Sequence, residues 1–186
     1  MFDAEALIGS ARSRTGLRDF GDERFLVGLR QFVNGLNAAD NIIPGRELEI
    51  EKLILRLLCN LLWRQKDFAE HPEILEEYLL PPVCIVSLPR VGTTKLQRLL
   101  GATDAFQSLP YWTLQMPSRI PGLPDCGREK RIKLTEEFSR WRESVSPTIN
   151  VTHGSFTHEP DEDAFLQQHC FCSAYLAQTH NLLPCC

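Results

Sequence analysis

The run Val83-Cys84-Ile85-Val86-Ser87-Leu88, and the loop that follows it, constrain this chain more than any other feature. The run is short, apolar and rich in β-branched residues, which suits a strand buried on both faces, as in a parallel sheet. Pro81-Pro82 separates it from the helical pattern upstream. Pro89-Arg90-Val91-Gly92-Thr93-Thr94 then reads as a tight loop, and Lys95 to Leu100 resumes helical spacing through Leu96, Leu99 and Leu100. Strand, Gly-containing loop and helix make the first half of a βαβ unit. The expected fold class is therefore α/β, a parallel sheet with flanking helices.

The loop is also where chemistry concentrates. Gly92 permits a tight turn and a close backbone approach to a ligand. The helix behind it offers its first N–H groups and the positive end of its dipole to an anion. Thr93 and Thr94 add hydroxyl donors, and Arg90 adds a planar cation able to grip two phosphate oxygens. The segment is not a Walker A motif, which needs a Gly, four residues, then Gly-Lys-Ser/Thr. Ser87 stands at the first Gly position, and Gly92 is followed by Thr93 rather than Lys. Nor does a later acidic strand end suited to magnesium stand out, which counts against a kinase or NTPase.

Residues 1 to about 80 read as a helical segment. Phe25, Leu26, Leu29, Phe32, Val33 and Leu36 follow one apolar helix face, closed by Asn41 to Gly45. From Glu47, a second helix carries Ile50, Leu53, Ile54, Leu57, Leu58, Leu61 and Leu62 as a buried stripe. His71-Pro72 opens a short helical turn. Residues 105 to 127 are rich in Pro and Gly and read as a long loop carrying Tyr111 and Trp112. Arg128 to Glu143 is a charged helix whose basic run Arg128, Lys130, Arg131, Lys133 reads as a solvated face. Pro147 to Thr157 reads as a second loop. Pro160 starts a last helix with Ala164, Phe165, Leu166, Cys170, Phe171 and Ala174 as its apolar positions. No internal repeat is present.

The loop sequence Leu88-Pro89-Arg90-Val91-Gly92-Thr93-Thr94-Lys95-Leu96-Gln97-Arg98-Leu99-Leu100 resembles the 5′-phosphosulfate loop of sulfotransferases that use 3′-phosphoadenosine 5′-phosphosulfate (PAPS). It is most similar to the bacterial-type family whose loop reads Pro-Arg-x-Gly-Thr-Thr. Thr15-Gly16-Leu17 with Asp19-Phe20-Gly21, His71-Pro72-Glu73-Ile74, Trp112 and Pro160-Asp161-Glu162-Asp163 resemble further features of that family. The resemblance implies a P-loop-like fold, with residues 81–186 as the N-terminal part of the sulfotransferase domain. It implies PAPS as co-substrate, and transfer of a sulfuryl group to an acceptor hydroxyl or amine on a small molecule, lipid or carbohydrate.

Carried over position by position, Arg90 would contact the phosphosulfate and stabilise the leaving phosphate. Val91, Gly92, Thr93 and Thr94 would cradle the same group. Lys95, where the family usually has an apolar residue, either reaches the anion or lies on the exposed side. Trp112 is followed by Thr113, where the family usually shows Glu.

An acceptor hydroxyl needs a base within hydrogen-bond reach. His153 and Glu162 are the candidates, because both fall in the stretch resembling the family's His-then-Pro-Asp-Glu segment. His158 and Glu159 are near competitors. The terminal His169, Cys170, Cys172, His180, Cys185 and Cys186 do not show the usual Cys-x2–4-Cys or His-x3–5-His zinc spacing, so no metal site is expected.

A net charge of -4 argues against a nucleic-acid partner. No apolar run is long enough to span a membrane, and an acid stands where a signal peptide needs a base, so the expected location is cytoplasmic. In the resembled family, an Arg and a Ser beyond the first βα unit hold the 3′-phosphate. Only 23 residues follow Asp163, and none is arginine. The sequence is therefore expected to be an incomplete sulfotransferase domain. A kinase or NTPase-like protein, and an inactive fragment acting as a binding module, are the alternative functions.

Overall fold

The computed structural model describes residues 1–39, 46–88, 91–145 and 154–179. Two compact units divide the chain, one formed by Met1–His71 with Ala164–Cys186 and the other by Pro72–Asp163.

The first unit is built on three helices, α1 (Ala4–Thr15), α2 (Phe25–Ala38) and α3 (Glu47–Glu70). Asp3 caps α1, its carboxylate accepting from the Ala6 N–H at 2.8 Å. The apolar spacing expected in α2 is buried at Phe25, Leu29, Phe32, Val33 and Leu36. The stripe expected in α3 is buried too, and Leu55, Cys59 and Asn60 are buried with it. A helix covered on nearly every side lies at the centre of its unit. Such cover stabilises the unit, because each fully buried Leu or Ile side chain contributes about 1.5–3 kcal/mol.

The chain returns to this unit after residue 163. Phe171 sits with its ring centroid 6.3 Å from Phe25 and 6.4 Å from Phe32. Gly28 permits that approach: a Cβ there would lie 2.9 Å from the Phe171 carbonyl carbon.

The second unit holds α4 (Thr93–Gly101), α5 (Tyr111–Gln115) and α6 (Arg128–Val145), with 3-10 turns at Pro72–Glu76 and Pro124–Gly127. The stretch expected to be one long loop thus contains a short helix. Pro110 precedes it with φ already at -66°, and Tyr111 and Leu114 anchor it in the interior. The basic run of α6 is not wholly a solvated face either. Arg131 is buried, donating to the carbonyls of Met116 at 2.8 Å and Pro117 at 3.1 Å, with its guanidinium 4.7 Å from the Trp112 ring centre. These bonds bring the 110–117 stretch onto α6.

The α/β expectation is overturned. No sheet is present among the described residues; the β-type pairing seen there is an isolated antiparallel bridge between Pro110 and Pro160. Residues 83–88 form no strand, and Val83, Val86 and Leu88 are 67%, 90% and 78% exposed. The physical reason is that a strand exists through its neighbours. Its hydrogen bonds and its burial both come from adjacent strands, and none lies beside this run among the described residues. Strand-like composition alone cannot supply either.

The helix expected from Pro160 is also broken. It appears as α7 (Ala164–Gln167), a 3-10 turn (Gln168–Cys170) and α8 (Ala174–Thr179). Phe171 adopts φ 57°, a left-handed value that stops the first piece. The Ser173 hydroxyl then accepts from the Tyr175 N–H at 3.2 Å and starts the next. Phe165 and Phe171 are buried as expected, whereas Leu166 and Cys170 are exposed.

Candidate functional site

The site is assembled around the start of α4. Gly92 stands at its N-cap with φ 93° and ψ 22°, a conformation open to glycine and costly for other residues. Helix α4 therefore begins at Thr93, earlier than its spacing predicts. The Leu96 N–H donates to the Gly92 carbonyl at 3.0 Å and closes the first turn. The leading N–H groups of a helix lack intrahelical acceptors, so those of Thr93, Thr94 and Lys95 are available to an anion.

Across from this turn lies the segment 154–163. The Thr94 hydroxyl donates to Glu162 Oε1 at 2.9 Å. One turn on, Gln97 Nε2 donates to the Asp161 carbonyl at 2.7 Å. Arg98 makes several contacts at once. Its Nη2 donates to the Gly154 carbonyl at 2.7 Å and its Nε to the Pro160 carbonyl at 3.3 Å. Its Nη1 lies 3.1 Å from Glu159 Oε2, and its guanidinium sits 5.3 Å from the centre of the Phe156 ring. Thr94, Gln97 and Arg98 are spaced i, i+3 and i+4, so they share one face of the helix.

The other side of the segment is tied to the start of α5. Tyr111 N–H donates to the Glu159 carbonyl at 2.9 Å, and Trp112 N–H to that of Thr157 at 3.1 Å. Asp161, itself buried, accepts the Glu162 N–H on its Oδ1 at 2.8 Å.

A cavity of about 1210 Å³ opens against these groups. Residues 82–88, Gly92, Thr93, Thr94, Lys95, Arg98, Phe156 and Glu162 are among those that line it. The structure thus brings together five of the residues singled out by sequence: Gly92, Thr93, Thr94, Lys95 and Glu162. Val91 is exposed beside them. Arg90 and His153 lie outside the described residues. His158 is exposed, and Glu159 pairs with Arg98. Among the described residues, no group of three or more His, Cys, Asp or Glu side chains could hold a metal ion.

Sequence reasoning does not single out Gln97, Arg98 or Phe156. A signal exists in the spacing of Thr94, Gln97 and Arg98, but Leu96, Leu99 and Leu100 point to the other side of the helix. Leu96 is 46% exposed and Leu99 59%, while the polar face meets protein.

The start of α4 thus presents anion donors, with the Glu162 carboxylate hydrogen-bonded to one of its hydroxyls. The chain belongs to the sulfotransferase family, whose model matches residues 81–183, more than half of its length. Two solved structures are similar in fold. Sulfotransferase STF1 from Mycobacterium tuberculosis H37Rv matches with a TM-score of 0.71 and 24% identity, over 94% of this chain and 48% of its own. Sulfotransferase STF9 from Mycobacterium avium matches with a TM-score of 0.73 and 23% identity, over 95% of this chain and 45% of its own. The chain therefore spans about half the length of either. No curated protein matches it in sequence. No helix among the described residues is long and apolar enough to cross a membrane.

Proposed function

We propose that this chain contributes the phosphosulfate-binding part of a sulfotransferase, moving a sulfuryl group from PAPS to an acceptor hydroxyl or amine. The observation that carries the proposal is the Thr94–Glu162 hydrogen bond, which sets a candidate base against the candidate anion loop. The donor set fits the group. The N–H groups of Thr93, Thr94 and Lys95, the Thr93 hydroxyl and the Lys95 ammonium match the anionic oxygens of a phosphosulfate, the Thr94 hydroxyl being given to Glu162, and the cavity accommodates a nucleotide.

PAPS supplies an activated sulfur and a good leaving group. The chain's residues bind, orient and move a proton. The donors at Gly92 to Lys95 hold the 5′-phosphosulfate and spread the charge that grows on the departing phosphate oxygen. Glu162 accepts the proton from the acceptor oxygen or nitrogen as that atom bonds to sulfur. The bond from sulfur to the bridging phosphate oxygen breaks, and 3′,5′-adenosine bisphosphate leaves. Arg90 joins the donor set, and His153 is the alternative proton acceptor; both assignments rest on the family resemblance of their segments.

Thermal protection tests the binding half of the proposal. At ligand one hundred times its Kd, protection amounts to about 2.7 kcal/mol, or a rise of roughly 5–10 °C in a chain of this size. The expected ligand is 3′,5′-adenosine bisphosphate without magnesium. Protection by ATP with magnesium, and none by the bisphosphate, would move the site to a kinase or NTPase.

A further inference from the structure

We infer that Arg98, assisted by Gln97, is a positioning residue that sets the Glu162 carboxylate against the Thr94 hydroxyl; the inference rests on the proposed role of this site. Glu162 has no regular element to hold it. It precedes α7, and the residues before it run without helix or strand from Gly154. A carboxylate on such a segment keeps a fixed place only where the backbone on either side is fastened.

Arg98 fastens the stretch leading into Glu162 on its α4 side, opposite the backbone bonds that Leu109, Tyr111 and Trp112 make to the same segment. It bonds carbonyls at both ends of a seven-residue stretch, Gly154 and Pro160, pairs with Glu159 between them, and covers the Phe156 ring. Gln97 holds the next carbonyl, that of Asp161, directly before Glu162. Both residues stand on the same helix face as Thr94, so the helix that carries the anion loop also carries the template for the base. The anion donors and the side-chain anchors of the base thereby share one helix. A planar guanidinium is needed to aim donors at separate carbonyls while keeping the ion pair, which a lysine ammonium on a flexible stem does not reproduce.

Amide hydrogen exchange and kinetics on the whole protein test this. Arg98→Met is expected to speed exchange of the 154–163 amides about tenfold or more, leaving the amides of α1, α3 and α6 unchanged. Arg98→Lys is expected to restore little of the protection. In release of 3′,5′-adenosine bisphosphate from PAPS, Arg98→Met is expected to lower kcat about tenfold or more with KM for PAPS nearly unchanged. Added to Glu162→Gln, Arg98→Met is then expected to cost nothing further.

Unchanged exchange in 154–163 overturns the inference. So does a general rise across α6, which would make Arg98 a plain structural anchor, or an Arg98→Met effect that multiplies with that of Glu162→Gln. Should the unaltered protein fail to bind 3′,5′-adenosine bisphosphate, the functional proposal fails, and the exchange pattern still decides whether Arg98 positions Glu162.

Discussion

Lowering the pH should destabilise the first unit through one residue, His169. Its ring is buried, 6% exposed, and its Nδ1 lies 3.0 Å from the Leu166 carbonyl, to which it donates as the neutral tautomer. Its Nε2 is buried with no hydrogen-bond partner among the described residues. Burial, reinforced by the nearby Arg56 and Arg64 charges, pushes its pKa down from 6.5 to about 3, against a smaller opposing effect of the Leu166 bond. The unfolded chain therefore takes up a proton below 6.5 that the folded chain refuses until about 3. His169 leaves stability untouched above 6.5 and removes about 1.4 kcal/mol for each pH unit below it, down to the folded pKa. Between about pH 7.5 and about pH 5 the loss is about 2 kcal/mol, or roughly 4–8 °C in Tm. His169→Asn keeps an amide donor near the Leu166 carbonyl and cannot titrate. The assay is the thermal midpoint of both proteins at the two pH values. The other titrating groups act alike in both, so the difference isolates His169. An equal fall in Tm for the variant and the unaltered protein refutes the reasoning.

Three further outcomes are expected. Gly92→Ala places a side chain at φ 93°, where the Cβ itself meets nothing within 4 Å. The cost is backbone strain of about 1–2 kcal/mol, and calorimetry should show weaker binding of 3′,5′-adenosine bisphosphate in a folded protein. Leu58→Ala empties a fully buried position in α3 and should lower unfolding stability by about 2–5 kcal/mol in urea titration. Asp3→Ala removes the α1 cap and should cost about 1 kcal/mol by the same measurement.

The helices of the first unit are legible in the sequence because their information is local. The spacing of Phe25, Leu29, Phe32 and Leu36, and of Ile50 to Leu62, states which side is apolar, and a neighbouring helix buries it. The run 83–88 misleads because a strand's hydrogen bonds and cover come from elsewhere in a chain, and composition reports only that a partner would be welcome. Helix α4 shows the same limit at smaller scale. Its leucines mark an apolar side, but Thr94, Gln97 and Arg98 meet a segment more than fifty residues away in sequence, with separations of 68, 64 and 56 for three of their bonds. Gly92, the two threonines and Glu162 are accessible to sequence reading because loop chemistry and family resemblance point to them. Arg98 escapes it because a long cation on a short helix reads as solvated until its acceptors are seen. Arg131 misleads for the same reason, since nothing in the basic run announces the Met116 and Pro117 carbonyls.

In the proposed reaction the sulfuryl group leaves PAPS at the Gly92–Lys95 turn, with Glu162 taking the acceptor proton. Incubation with PAPS labelled in the sulfuryl group, over a panel of hydroxyl and amine acceptors, measures this most directly when the unaltered protein is set beside Glu162→Gln. Label is expected on an acceptor with the unaltered protein, with a loss of about a hundredfold or more in the variant while 3′,5′-adenosine bisphosphate still binds. Equal transfer by both proteins would contradict the proposal.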